Sequence, residues 1–263
     1  MPIITTPTAG LFCWPELFTP DQADARAFYT SLFGWETREI PMGPGAVYIV
    51  FTLNGRDAAA CYGAAPEAIA RQAPAHWMSY VYVANADESA AKARAAGGVV
   101  VKEPFDVPAT GRMAVLQDPT GATLCVWQGT NKHGIQVVQE PGALQWTELL
   151  ASDTEASAAF YEAVFGWKRT LWPSPENPAY HLFMNGDAMA GGMTPITPEM
   201  LTTKPVWCVY FNVADCDDTI VRGVKLGGRL VMPAETVPEV GRFAGLSDPT
   251  GAHFGILTPV SKP

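Results

Sequence analysis

Apolar and polar residues alternate in short runs along most of the chain, and helical spacing interrupts them at regular intervals. Residues 12–18, 35–40, 46–53, 57–62 and 77–83 read as strands, with Gly43-Pro44-Gly45 and Asn54-Gly55 as turns. Between the first two strands, Phe28, Tyr29, Leu32 and Phe33 share one helical face that should pack on a sheet. Thr19-Pro20-Asp21-Gln22 supplies the start of that helix, with Thr19 as hydroxyl cap and Pro20 in the first position. Gly34 supplies its stop. A second, alanine-rich helix is expected over 87–96, closed by Gly97-Gly98. Strands around 99–101, 112–117 and 123–127 follow it, and Asp118-Pro119-Thr120-Gly121 fits a type I turn before the last. The order is β-α-β-β-β, twice over.

The whole pattern then returns. Trp14-Pro15-Glu16-Leu17 recurs as Trp146-Thr147-Glu148-Leu149, and the Phe28-Tyr29 to Gly34-Trp35 stretch as Phe160-Tyr161 to Gly166-Trp167, both 132 residues on. Asp118-Pro119-Thr120-Gly121 recurs as Asp248-Pro249-Thr250-Gly251, 130 residues on. Two copies that span nearly the chain indicate a duplicated domain and not a solenoid. Residues 10–128 and 144–259 are the expected domains, and 129–143, with its glycines and Pro141, the linker.

Composition narrows the function. Hydrophobic residues make up 48% of the 263, which is ample core material, and the net charge of −9 argues against nucleic acid, whose phosphates need a basic surface. No basic cluster suggests an anionic membrane, no apolar run is long enough to span one, and Met1 to Pro7 lacks the pattern of a signal peptide. Five widely spaced cysteines without a Cys-x-x-Cys pair indicate neither a disulfide framework nor a zinc ribbon, and fit a reducing, cytoplasmic setting.

The paired modules, the Phe-Gly-Trp helix ends and the Asp-Pro-Thr-Gly turns together resemble the glyoxalase, bleomycin-resistance and extradiol-dioxygenase group, the vicinal oxygen chelate superfamily. The tandem arrangement is similar to actinobacterial glyoxalase-like proteins often labelled hydroxylases. The resemblance implies an α+β fold of two tandem domains, each of two βαβββ modules forming a half-open barrel around one site. It also implies where metal-dependent members place His or Glu. Here those positions hold Trp14, Met78 and Cys125 in the first half, and Trp146, Cys208 and Gly255 in the second; the remaining one falls near Asp57 and Cys61, or within 188–192. Divalent metals at such sites want imidazole or carboxylate. Neither a metal nor another cofactor is expected, and lone Cys125 and Cys208 read as small buried hydrophobes.

Strand alternation lists what lines the sites instead. If Trp14 faces the hollow, so do Phe12, Glu16 and Phe18, and Met78, Tyr80 and Tyr82 share a face, as do Thr123, Cys125 and Trp127. The second half offers Trp146 with Glu148, then Cys208, Tyr210 and Asn212, then His253, Gly255 and Leu257. Such an aromatic-walled cavity suits small aromatic or natural-product-like ligands. Glu16, Glu148 and His253 are the candidate acid-base groups, since an apolar cavity raises a carboxylic acid's pKa. The competing reading of the two glutamates is a structural ion pair with Arg112 and Arg242, and Tyr29 and Tyr161 read as helix packing.

Three functions follow: a metal-independent small-molecule-binding protein; a metal-independent lyase, isomerase or cyclase; and, last, a metal-dependent lyase or dioxygenase. A small molecule is the expected partner. The chain is expected to be a monomer, its duplication supplying both halves of a pair, or a homodimer through free sheet edges.

Overall fold

The computed structural model describes residues 4, 6–65, 73–130, 134–172, 177–198, 200 and 204–260; most of the 64–75 connector and His133 lie outside them. The first half contains β1 (Phe12–Thr19), α1 (Gln22–Phe33), β2 (Glu36–Gly43), β3 (Ala46–Leu53) and β4 (Arg56–Gly63). It continues with β5 (His76–Tyr82), α2 (Ala86–Ala95), β6 (Val99–Val107), β7 (Gly111–Gln117) and β8 (Thr123–Gly129). The second half repeats the series: β9 (Leu144–Ala151), α3 (Thr154–Phe165), β10 (Lys168–Leu171), β11 (His181–Asn185), β12 (Ala188–Pro195), β13 (Val206–Asn212), α4 (Cys216–Lys225), β14 (Arg229–Val237), β15 (Gly241–Ser247) and β16 (His253–Pro259).

Each half forms one eight-stranded sheet, ordered β2-β3-β4-β1-β5-β8-β7-β6 and β10-β11-β12-β9-β13-β16-β15-β14. β1 and β5 pair antiparallel at the centre, as do β9 and β13, and each is flanked by a parallel partner, β4 and β8 or β12 and β16. The sheets are curved arrays, not closed barrels. The central pairing sets Trp14 opposite Tyr80 and Glu16 opposite Met78 on one face, and Leu17 opposite Trp77 on the other.

The first helix starts two residues later than the hydroxyl-cap reading. Thr19 remains in β1, and Asp21 caps α1 by accepting from the Asp24 amide at 2.9 Å. Asp153, Asn85 and Asp215 cap the other three helices in the same way. A carboxylate at this point also meets the positive end of the helix dipole, which a threonine does not. Gly34 and Gly166 end α1 and α3 in the left-handed region, which a glycine enters without strain.

The helices lie between the sheets, and the core runs across the repeat. One buried cluster joins Leu17, Phe28, Tyr29 and Trp77 to Phe211, Leu246 and Phe254; the other joins Val81, Leu116 and Leu124 to Phe160, Tyr161, Trp167 and Trp207. The first module therefore packs on the fourth and the second on the third, with α1 against α4 and α2 against α3. Trp35 and Trp167, ending the Phe-Gly-Trp motifs, donate their indole N–H groups to the carbonyls of Gly142 and Gly10, each at 2.7 Å. The stretch expected to be a linker is thus part of the body: Ile135 and Val137 are buried, and the Ile135 amide donates to the Cys13 carbonyl at 2.7 Å.

Tyr29 and Tyr161 do more than pack. Trp77 and Trp207 donate to their hydroxyls at 2.9 and 2.8 Å, and both rings sit in aromatic clusters. Each hydroxyl also lies near the aspartate of the other half's Asp-Pro-Thr-Gly turn, Asp248 for Tyr29 and Asp118 for Tyr161, whose charge adds to burial in raising the tyrosine pKa. Asp118 uses one oxygen to accept from the amides of Thr120, Gly121 and Ala122, and the other to accept from Ser157 of α3 at 2.9 Å. The turn motif is therefore also a clasp between halves.

Candidate functional site

On the face away from the helices, the centre of each sheet carries one glutamate. β1 presents Trp14 and Glu16, β3 presents Tyr48 and β5 presents Tyr80. Tyr48 donates to Glu16 Oε1 at 2.6 Å and accepts from Trp14 Nε1 at 2.9 Å; Tyr80 donates to Glu16 Oε2 at 2.5 Å. Cys125 lies beside Tyr80 on β8, and Trp127 beside Tyr82. The second half repeats the quartet. Trp146 donates to the Tyr180 hydroxyl at 2.9 Å, and Tyr210 donates to Glu148 Oε2 at 3.1 Å.

Tyr48 and Tyr180 are the members that alternation did not supply. They are 132 residues apart, the same shift that relates Trp14 to Trp146, so the repeat contained the signal. Their strands are outer ones, β3 and the approach to β11, and only sheet curvature brings them over the central strands.

Burial raises the pKa of Glu16, offset in part by the hydroxyls of Tyr48 and Tyr80. Glu148 is raised for the same reason, with Tyr180 and Tyr210 offsetting. Burial also holds the tyrosines well above their ordinary value, with the nearby glutamate adding to it, so they remain hydroxyl donors at neutral pH. Cys125 and Cys208 are pushed up by burial, Cys208 to about 12, so both are neutral thiols and poor metal ligands or nucleophiles.

Several expected members stand elsewhere. Arg112 and Arg242 are not the partners of Glu16 and Glu148: Arg112 binds Asp87 and Asp106, and Arg242 binds Asp217, all at the surface. A charged partner would need the desolvation that the neutral tyrosines avoid. Phe12 leaves the cup, because a register shift between Phe12 and Trp14 breaks the alternation; its ring packs against Trp167 and Trp207. His253 opens β16 in an exposed position. β13 lies between it and Glu148, and no hydrogen bond joins the two among the described residues. Asn212 has its amide occupied by Gln145 at 2.7 Å, and Tyr82 reaches the Gly129 carbonyl at 3.4 Å. Two surface clefts, about 490 Å³ beside α1 and about 320 Å³ between α1 and α4, lie away from both glutamates.

The fold family's metal can be tested against these side chains. At the level of Glu16 the flanking strands supply Ala60 and Met78; at the level of Glu148 they supply Gly192 and Cys208. Among the described residues no three His, Cys, Asp or Glu side chains gather to hold an ion. A single carboxylate engaged by tyrosine hydroxyls is not a donor set for a divalent metal. The residues do not fit one.

Residues 12–126 and 143–256 match the model of the Glyoxalase/Bleomycin resistance protein/Dioxygenase superfamily, and the chain belongs to that family. Among its relatives, CFP32 of Mycobacterium tuberculosis, whose name assigns it as a glyoxylase only provisionally, is 39% identical over 250 residues, 95% of each chain. The anthracycline biosynthesis protein DnrV of Streptomyces peucetius is 35% identical over 266 residues, covering 94% of this chain and 93% of its own. Two solved structures share the fold at low identity. The Mn(II)-bound glyoxalase from Novosphingobium aromaticivorans has a TM-score of 0.65 at 17% identity, over 96% of this chain and 83% of its own. The 2,3-dioxygenase LapB from Pseudomonas sp. KL28 has a TM-score of 0.62 at 12% identity, over 98% and 95%. No helix among the described residues is long and apolar enough to cross a membrane.

Proposed function

We propose that this chain binds a small aromatic metabolite without a metal, using the Trp–Tyr–Glu–Tyr quartet as its recognition device. The observation that carries this reading is the quartet itself, built twice at the sheet centres from Trp14, Tyr48, Glu16 and Tyr80, and from Trp146, Tyr180, Glu148 and Tyr210. Aromatic faces bind flat rings, and a carboxyl flanked by phenols can accept from or donate to a ring hydroxyl or carbonyl. The name of the 35%-identical relative, with its part in making an anthracycline, supports a flat polycyclic ligand class.

A second reading is favoured by one observation. Desolvation raises both carboxyls, and a carboxyl raised toward neutrality can carry a proton in a lyase, isomerase or cyclase step. His253 makes no hydrogen bond to Glu148 through which to share that proton.

Thermal-shift screening against hydroxyquinones and simple phenols tests the binding reading, because a ligand selective for the folded state at one hundred times its Kd stabilises by about 2.7 kcal/mol. Metal analysis of protein purified without a His-tag should show no stoichiometric ion; one equivalent per half counts against the reading. With a ligand in hand, turnover that Glu148→Gln abolishes at unchanged stability would move the conclusion to the enzyme.

A further inference from the structure

The two cups are not equivalent, although their quartets are. In the first, Glu16 is 8% exposed and Tyr80 6%, while Trp14 and Tyr48 are half-buried, as are Trp146 and Tyr180 in the second. Each Glu16 oxygen is capped by its own tyrosine at 2.6 or 2.5 Å. In the second, Glu148 and Tyr210 are both half-buried, and the Tyr210 bond is 3.1 Å.

The floor residues account for this. Ala60, Val115 and Cys125 stand beside Glu16, Lys102 and Tyr80 on neighbouring strands. Their register equivalents beside Glu148, Met232 and Tyr210 are Gly192, Gly245 and Gly255. The walls follow the same trend: Tyr62 and Trp127 correspond to Thr194 and Leu257. Against it, Val50 and Met113 correspond to the larger Leu182 and Phe243.

The bare backbone is used. A Cβ placed on Gly192 would collide with the Tyr180 hydroxyl, and one on Gly255 with the Tyr210 ring. In the second cup both tyrosines therefore rest directly on the strands. In the first, Ala60 and Cys125 fill that layer with a side chain, and each tyrosine holds its own Glu16 oxygen. Sinking the phenols uncovers the acid.

We infer that the second cup, around Glu148, is the ligand-accepting site, that the first is a closed structural copy, and that Gly192 and Gly255 are the positioning residues that open it. The ligand class rests on the reading above, a planar ring bearing hydroxyl or carbonyl oxygen. The division between cups stands on geometry alone.

Carboxyl labelling tests both parts separately. The full-length protein is treated with a water-soluble carbodiimide and glycinamide, and amide formation at each glutamate is followed by peptide mass spectrometry. Labelling is then repeated with 1,8-dihydroxyanthraquinone as probe. Glu148 should label at least tenfold faster than Glu16, and the quinone should protect Glu148 alone, at one equivalent per chain. Equal rates, or faster labelling of Glu16, overturn the division whatever the quinone does. Unequal rates without protection leave the division standing and count against the aromatic-ligand reading. Gly192→Ala should lift Tyr180 and slow Glu148 toward the Glu16 rate, while Ala60→Gly should speed Glu16; neither rate moving overturns the role given to the floor.

Discussion

On their helix faces the two sheets are near copies. Trp77 and Trp207 each donate to a buried tyrosine, Tyr29 and Tyr161, and each tyrosine lies near the other half's turn aspartate. On the opposite face of the same strands the copies diverge, with alanine, valine and cysteine in one cup replaced by three glycines in the other. The helix faces form one shared core, where a change of one methylene is felt on both sides. The cluster that packs the first cup, Cys13, Tyr80 and Cys125 with Trp14, Met78 and Trp127, lies wholly in the first half, so that face could vary alone. A duplicated protein thus keeps its symmetry where the halves meet and loses it where they do not.

The largest effect should come from the shared face. Tyr29→Ala and Tyr161→Ala each remove a fully buried ring and should cost about 3–5 kcal/mol, equally in the two halves. Denaturant unfolding followed by tryptophan fluorescence should show one transition in each case. Two separated transitions would mean that the halves unfold independently and that the cross-packed core contributes little.

The fold was legible because the repeat spacing carried it: a shift of 132 aligned the first modules of the two halves and a shift of 130 their Asp-Pro-Thr-Gly turns, without any contact information. The cross-packing was not legible, because spacing says which modules are alike and nothing about which touch. The site was legible in part. Glu16, Trp14 and Tyr80 followed from alternation on strands that are central, while Tyr48 sits on an outer strand and enters through curvature. Phe12 failed for a local reason, a register shift that no residue type announces. Arg112 failed for an energetic one: two surface aspartates are within its reach, and a buried glutamate is already served by phenols.

The cups should separate under truncation of their glutamates. Glu16→Ala leaves the hydroxyls of buried Tyr80 and half-buried Tyr48 without their acceptor, at a cost of about 1–3 kcal/mol. Glu148→Ala leaves groups that water reaches, and should cost below about 1 kcal/mol. Chemical denaturation of the pair decides it, and equal losses would erase the distinction between cups.

A smaller effect lies in pH. Both carboxyls are raised by burial, so the folded chain holds protons that the unfolded chain has released above about pH 4.3. That contribution is full below the unfolded value and is lost as pH rises through the folded one. Stability relative to Glu16→Gln should therefore fall with rising pH across this window, and the fall relative to Glu148→Gln should be shallower. Melting curves from pH 4 to 8 measure both slopes; a rise with pH would reverse the sign assigned to the desolvation.

The smallest effect is a control on the whole comparison. Arg112 and Arg242 are equivalent in the repeat and pair at the surface, Arg112 with Asp87 and Asp106, Arg242 with Asp217 and the Thr236 hydroxyl. Exposed pairs gain little, because water screens the charges and ordering two long side chains opposes them. Arg112→Ala and Arg242→Ala should each leave the melting temperature within error of wild type at 0.15 M salt, a concentration that screens beyond about 8 Å. Arg112, with two acidic partners, should show the steeper response when salt is lowered. The substitutions should also leave the labelling rates of Glu16 and Glu148 unchanged, since neither arginine reaches a cup. A changed glutamate rate in either variant would show that the arginines act on the carboxyls after all, and the asymmetry between cups would then have to be sought at the surface and not in the glycine floor.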